Sequence, residues 1–314
     1  MFMDIFVVVV VLGILIPYFY FYFKQNTPLK NNKIETIGGY KKPELLKELE
    51  NIEKKYERGI LPGFWIDYDY RDSSTPIDSV AFAITGGDAI HFCFLTDFGN
   101  VKDLNDAPII VVSPGDTPSS KLIANNLEDF LSIAFTVGDA ECLIHDYKSH
   151  NDLKIDSDQL YAVDTHNSSG NARAPERVEA DRKRLNYLKN IRSIIEEQLT
   201  KKFKIEQIKD IPQYINIIRE ERASLINIKT SDNIGIISDF PEQEIKSFNY
   251  KTTETEQIKK FLKNSTLPER LKFYRDSTDH YILAECYDMN IKNLLIEELI
   301  KDGFTEESNN LLNS

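Results

Sequence analysis

The stretch Ser79–Leu95, SVAFAITGGDAIHFCFL, constrains the fold of this chain more than any other segment. Two apolar runs, Val80–Thr85 and Ile90–Leu95, flank Gly86-Gly87-Asp88. Glycine reaches positive φ without a Cβ penalty, and aspartate bonds its own backbone, so the tripeptide predicts a tight hairpin turn between two strands. Arms this apolar need cover, and the neighbouring sequence supplies it. Lys42–Tyr56 sets Leu45, Leu49, Ile52 and Tyr56 at helical steps, with Pro43 suited to the first turn. LPGFWIDYDY, residues 61–70, alternates in part and reads as a strand or an aromatic packing loop. Pro108–Ser113, PIIVVS, is a further β-branched run stopped by Pro114-Gly115. Asn126 can cap a helix over Leu127–Phe135 that turns Leu127, Phe130, Leu131, Ala134 and Phe135 toward the sheet. Together these predict a mixed helix–sheet domain over residues 41–155, behind a polar linker at 25–40.

The amino terminus carries a second constraint. Ile5–Phe23 holds no formal charge and would span about 28 Å as a helix, roughly one hydrocarbon core. Residues 1–24 are therefore expected to be a transmembrane anchor, with residues 5–23 in the membrane and Tyr18–Phe23 at the interface. No basic n-region or small-residue cleavage site argues for a signal peptide. Lys24, Lys30, Lys33, Lys41 and Lys42 follow the apolar run, which predicts a single-pass cell-membrane protein with its main body cytoplasmic.

The carboxyl-terminal half reads as helical and α+β, over residues 176–305, after a linker at 156–175. Helices are expected at Glu176–Leu199, Pro212–Arg222, Glu254–Leu262 and Ile291–Ile300. Strand pairs are expected at Ser224–Thr230 with Ile234–Ser238, and at Leu271–Arg275 with His280–Tyr287. Residues 306–314 are expected to fray. The expected fold class is thus α+β, comprising a transmembrane helix, the mixed domain and a second, smaller α+β region.

Charge and motifs exclude more than they assign. Acidic residues outnumber basic ones by 50 to 38, a net charge of -12, which argues against a nucleic-acid partner held through its phosphates. Cys93, Cys142 and Cys286 are odd in number and widely spaced, so neither a disulfide framework nor a zinc knuckle is expected. Gly86 and Gly87 belong to no phosphate-binding glycine pattern, so no cofactor is expected. Asp67 and Asp69 lie two apart and would share a strand face, yet no third metal ligand accompanies them. Asp88 and His91 flank the turn and form the one pair with a general acid–base character, without a nucleophile placed beside them.

The runs Phe82–Leu95, Pro108–Pro114 and Asn126–Ala134, with the helix before them, resemble the SMI1/KNR4-like, or SUKH, superfamily over residues 40–150. That resemblance implies an α+β interaction fold; bacterial members are often immunity proteins that neutralise toxins, and fungal members act as regulatory scaffolds. The expected function is therefore a membrane-anchored protein-interaction module, of the immunity type, meeting a basic toxin. Trp65, Asp67, Asp69, Asp72, Asp88 and His91 are the candidate partner-binding residues. Alternatives are an envelope-associated structural or regulatory scaffold without a toxin partner, and a hydrolase using Asp88 and His91; the chain is not expected to be an enzyme.

Overall fold

In the computed structural model the described residues are 35–312, apart from 161, 164, 167–170, 242–243, 252–253 and 284–288. They form an α+β fold of nine helices and two sheets. A short antiparallel pair, β1 (Thr36–Ile37) and β2 (Tyr40–Lys41), turns on Gly38 and Gly39, both at positive φ. Helix α1 (Glu44–Lys55) follows and buries Leu45, Leu46, Leu49 and Ile52.

The central sheet is a five-stranded antiparallel meander. It runs β3 (Trp65–Ile66), β4 (Ser79–Ile84), β5 (His91–Leu95), β6 (Ile109–Val112) and β7 (Ser120–Ala124), each strand beside the next. The β4–β5 hairpin closes with Thr85 N–H donating to Ile90 O and Ile90 N–H to Gly87 O, each at 3.0 Å. Its turn runs through positive φ at Gly86, Asp88 and Ala89. Because the strands alternate in direction, the β4–β5 and β6–β7 turns share one end of the sheet. Strand β7, SKLIA, lies outside the elements read from sequence; only three of its five residues are apolar.

Side chains alternate across the sheet, and both faces are covered. On one face Phe82, Phe92 and Phe94 meet Phe130 of α2 (Leu127–Val137) and Phe64. Ring centroids lie 4.8 Å apart for Phe92–Phe130 and 5.6 Å for Phe82–Phe130, the latter edge-on. Each such pair contributes roughly 0.5–1.5 kcal/mol beyond its buried area. Asn126 caps α2 by accepting Asp129 N–H at 2.8 Å, and Gly138, at φ 83, ends it. After a 3-10 turn at Ala140–Ile144 come α3 (His150–Leu160) and the 29-residue α4 (Pro175–Phe203). Helix α4 brings Ile195 and Leu199 into the same core. On the other face Ala81, Cys93, Leu95, Ile110, Val112 and Leu122 are sealed by Ile218 of α5 (Ile211–Ala223) and by Ile234. Antiparallel sheets commonly leave one face to water; here the carboxyl-terminal half takes that place.

The rest of that half packs around α6 (Thr255–Asn264), α7 (Leu267–Asp279), α8 (Met289–Lys301) and α9 (Thr305–Leu312). A buried charge cluster ties it to the sheet. Arg275 of α7 grips both carboxylate oxygens of Asp78 with its Nε and Nη2, and its Nη1 reaches Asp232 at 3.1 Å. Arg222 of α5 binds Asp97 at 2.6 Å and the carbonyls of Ile234 and Gly235.

Several sequence expectations are corrected. Among the described residues no helix is long and apolar enough to cross a membrane. The expected span, Ile5–Phe23, lies outside the described residues, so the transmembrane helix of the expected fold is not among the elements described. The second region is not a small α+β unit: its described part is helical, with Ile228↔Ile236 the one bridge between the expected strands 224–230 and 234–238. Local side chains explain the lost pairing. Asp232 accepts Ile234 N–H and Thr230 Oγ1 accepts Gly235 N–H, each at 2.9 Å, so these backbone donors never enter a ladder. Residues 271–275 lie inside α7, where Pro268 and a Thr266–Glu269 capping box start a helix ahead of an alternating pattern. Residues 280–283 form no strand, and 284–287 lie outside the described residues. Thr305–Leu312 is a helix with Glu307, Ser308 and Leu311 buried, where the sequence suggested a frayed end.

Candidate interaction site

The candidate residues divide into two groups. Trp65, Asp67 and Asp69 gather on the β3 side. Asp67 is buried and accepts Arg58 Nη2–H at 3.2 Å and Asp69 N–H at 3.2 Å. The Arg58 guanidinium sits 5.4 Å from the ring centre of the half-buried Trp65. Asp69 is the one member of this group with an exposed side chain.

Asp72, Asp88 and His91 meet at the turn end of the sheet. His91 is fully buried, and its Nδ1 lies 2.8 Å from Ala89 O. A carbonyl only accepts, so Nδ1 carries the proton and Nε2 accepts from Thr75 Oγ1 at 2.9 Å. Thr75 Oγ1 in turn accepts Asp72 N–H at 2.8 Å, and Asp72 Oδ1 accepts Ser74 N–H and Ser74 Oγ–H at 2.9 Å. The Tyr70 ring packs edge-on against the imidazole, 5.2 Å between centroids. Burial pushes the His91 pKa down to about 4, so the ring is neutral at physiological pH. Both its nitrogens are engaged, and Asp88 is exposed at φ 47 rather than paired with it. Asp88 and His91 therefore form no acid–base couple. His91 instead fixes the hairpin turn to the Asp72–Thr75 turn.

Further carboxylates, not singled out in the sequence, join this end. Glu141 of the 3-10 turn is raised by partial burial and by Asp139 and Asp88. The Tyr281 hydroxyl, 2.5 Å from Pro114 O, is raised by burial and then by Asp279, Asp72 and Asp116. Asp116 and Asp146 lie 3.6 and 3.7 Å from Lys121, and Asp146 also binds Arg219 at 2.7 Å. Residues 72, 88, 116, 141 and 279 come from five separate segments, and no spacing along the chain announces their proximity. The signal that was available is the paired-turn geometry of a meander, and it required β7 to be recognised.

Among the described residues no group of three or more His, Cys, Asp or Glu side chains is arranged to hold a metal ion. Cys93 and Cys142 are buried, and burial pushes both thiols up to about 12. Neither is an activated nucleophile at neutral pH. No family model, curated protein or solved structure matches this chain. Its function is read from its own surface.

Proposed function

We propose that this chain is a protein-interaction module that docks a basic protein through the acidic turn end of its sheet, as a toxin-neutralising immunity protein does. The observation that carries the reading is the gathering at the turn end of the sheet of Asp88 beside Glu141 and of Asp72, Asp116 and Asp279 around Tyr281, where burial first and then these carboxylates raise Glu141 and Tyr281. Crowded like charges are costly alone and are relieved by a cationic partner. Complementary charge also accelerates and selects encounter. The Asp72–Thr75–His91 network holds the two turns before any partner arrives, which reduces the ordering cost of binding. The resemblance to the SMI1/KNR4-like superfamily supports the same class of function.

The test pairs the full chain with any basic toxin encoded beside its gene, measuring binding kinetics and protection of cells. Asp88→Lys together with Asp116→Lys is expected to slow association by about tenfold or more and to abolish its salt dependence. Glu197→Lys, on the exposed face of α4, is expected to leave both unchanged. Absence of binding and protection in the wild type, or a charge-reversed variant that associates normally, defeats the reading.

A further inference from the structure

The first and last described elements pack on one another. Helix α9 is joined to α8 through Gly303, which sits at φ 89 with nothing within 4 Å of where a side chain would start, so the joint can swing without a clash. The helix rests on the β1–β2 hairpin. A Cβ at Gly39 would overlap the Glu306 carboxylate, and one at Gly38 would come 3.3 Å from Asn310 Oδ1, so α9 occupies the space that side chains on this turn would take. Leu311 and the adjoining Phe304 anchor it in the carboxyl-terminal core, Phe304 against Phe98 with ring centroids 5.3 Å apart. Eight residues are too few for a helix to persist by itself in water, so α9 depends on this seat.

The seat is acidic. Asp78, Asp97 and Asp232 lie buried with two guanidiniums between them, Arg275 against all three and Arg222 on Asp97. Glu307 of α9 is buried beside them. Asp78 and Glu306 face it, and so does the Tyr40 phenol of β2, which burial and then Glu307 push up to about 12, so that it stays neutral. Lys102, which opposes them, is exposed, and among the described residues Glu307 makes no ion pair. Its own N–H, in the first turn of α9, bonds the carboxyl. Three buried carboxylates already share two arginines, so a fourth has no buried cation left to it. The carboxyl holds its proton up to about 7 in consequence, burial being the largest cause.

From this arrangement we infer that α9 is a proton-controlled latch: with Glu307 protonated it closes on the β1–β2 hairpin, and ionisation of that carboxyl shifts it toward a state swung out about Gly303 with the hairpin freed. Opening gives the carboxylate water and takes it away from Asp78, neither of which the closed seat allows. The proton is held more tightly in the closed state than in the open one. Closure is therefore firmest below pH 4.5, the ordinary value, and weakens as pH rises toward 7. From pH 6 to pH 8 the open population grows about tenfold.

Hydrogen exchange on the full chain at pH 6 and pH 8, corrected for the pH dependence of a free amide, tests this. The α9 amides, among them Ser308 bonded to Phe304 O at 3.0 Å, are expected to be less protected than those of β5 by about tenfold or more, because the latch opens without the sheet. Their protection is expected to fall about tenfold from pH 6 to pH 8. The Lys42 amide, bonded to Glu35 O at 3.0 Å across the base of the hairpin, is expected to follow them. Glu307→Gln is expected to leave α9 as protected at pH 8 as at pH 6. The wild-type response needs no substitution and decides the matter even where a variant fails to fold. Protection of α9 that is constant across this range, α9 amides that exchange only together with the sheet, a Lys42 amide that stays closed while α9 opens, or a folded Glu307→Gln variant that keeps the tenfold fall overturns the inference. The latch and the acidic turn end share no residue, so either result leaves the proposed function standing.

Discussion

Glu307 gives the sharpest test of how this fold is held. It sits on α9 with 3% of its surface exposed, and its carboxyl is pushed up to about 7. Burial is the largest cause; Asp78 and Glu306 add to it, and Lys102 opposes them. Against the ordinary value of 4.5, the shift costs the ionised form about 3 kcal/mol at 1.36 kcal/mol per unit. The sign follows from proton counting. Below pH 4.5 the group is protonated folded or unfolded, and its contribution is fully present. As pH rises toward 7 the unfolded chain releases the proton first, so stability falls until the folded form has ionised as well. Glu307→Gln removes the charge and keeps the shape. Its gain over wild type should be about 1 kcal/mol at pH 5 and about 3 kcal/mol at pH 8. Urea unfolding of both proteins at the two pH values measures it. The comparison needs the variant, because His91 acts in the opposite direction: its depressed pKa withdraws stability as pH falls from 6.5 toward 4. The wild-type profile alone sums the two slopes. A difference between variant and wild type that stays constant with pH would refute the reasoning.

Two further outcomes follow from the buried charges. Arg275→Met strands Asp78, Asp97 and Asp232 without their shared cation and should destabilise the chain by about 3–5 kcal/mol in denaturant unfolding. Restoring neutrality with Asp78→Asn should recover part of that loss, and a variant as stable as wild type would show that the cluster is not what ties α7 to the sheet. In NMR titration the His91 ring signals should stay constant above pH 5.5, while Thr75→Val, which removes the partner of Nε2, should cost about 1–3 kcal/mol. A His91 midpoint near 6.5 would mean that the ring is open to water.

What local sequence fixes, it fixes through local physics. The β4–β5 hairpin follows from a turn only glycine-rich backbone makes easily. Helices α1 and α2 follow from apolar spacing with a proline and an asparagine at their starts. Where local signals compete, the sequence misleads. Leu271–Arg275 alternates as a strand would, yet Thr266, Pro268 and Glu269 two to five residues earlier start a helix through it. Ser224–Ser238 has two β-branched runs, but Thr230, Asp232 and Arg222 claim the backbone groups a ladder would need.

The site depends on still longer range. That Asp88 would be exposed is legible in the turn itself, because a Gly-Gly-Asp corner leaves the aspartate outside the sheet. That His91 would be buried, neutral and bonded to Thr75 is not, because its partner lies 16 residues away across a loop. Asp116, Glu141 and Asp279 reach the same end only because β6 and β7 turn beside β4 and β5, and because α7 folds back onto them. Arg192 shows the same limit: its place on α4 predicts a pair with Glu196, yet it donates to the carbonyls of Ile60, Leu61 and Gly138, far from it in sequence. Sequence alone determined the hairpin, its covering helices and the acidic balance, since those rest on backbone geometry, periodicity and composition. Tertiary structure decided which charges meet, which are matched and which are left open, because electrostatics acts through space and not along the chain.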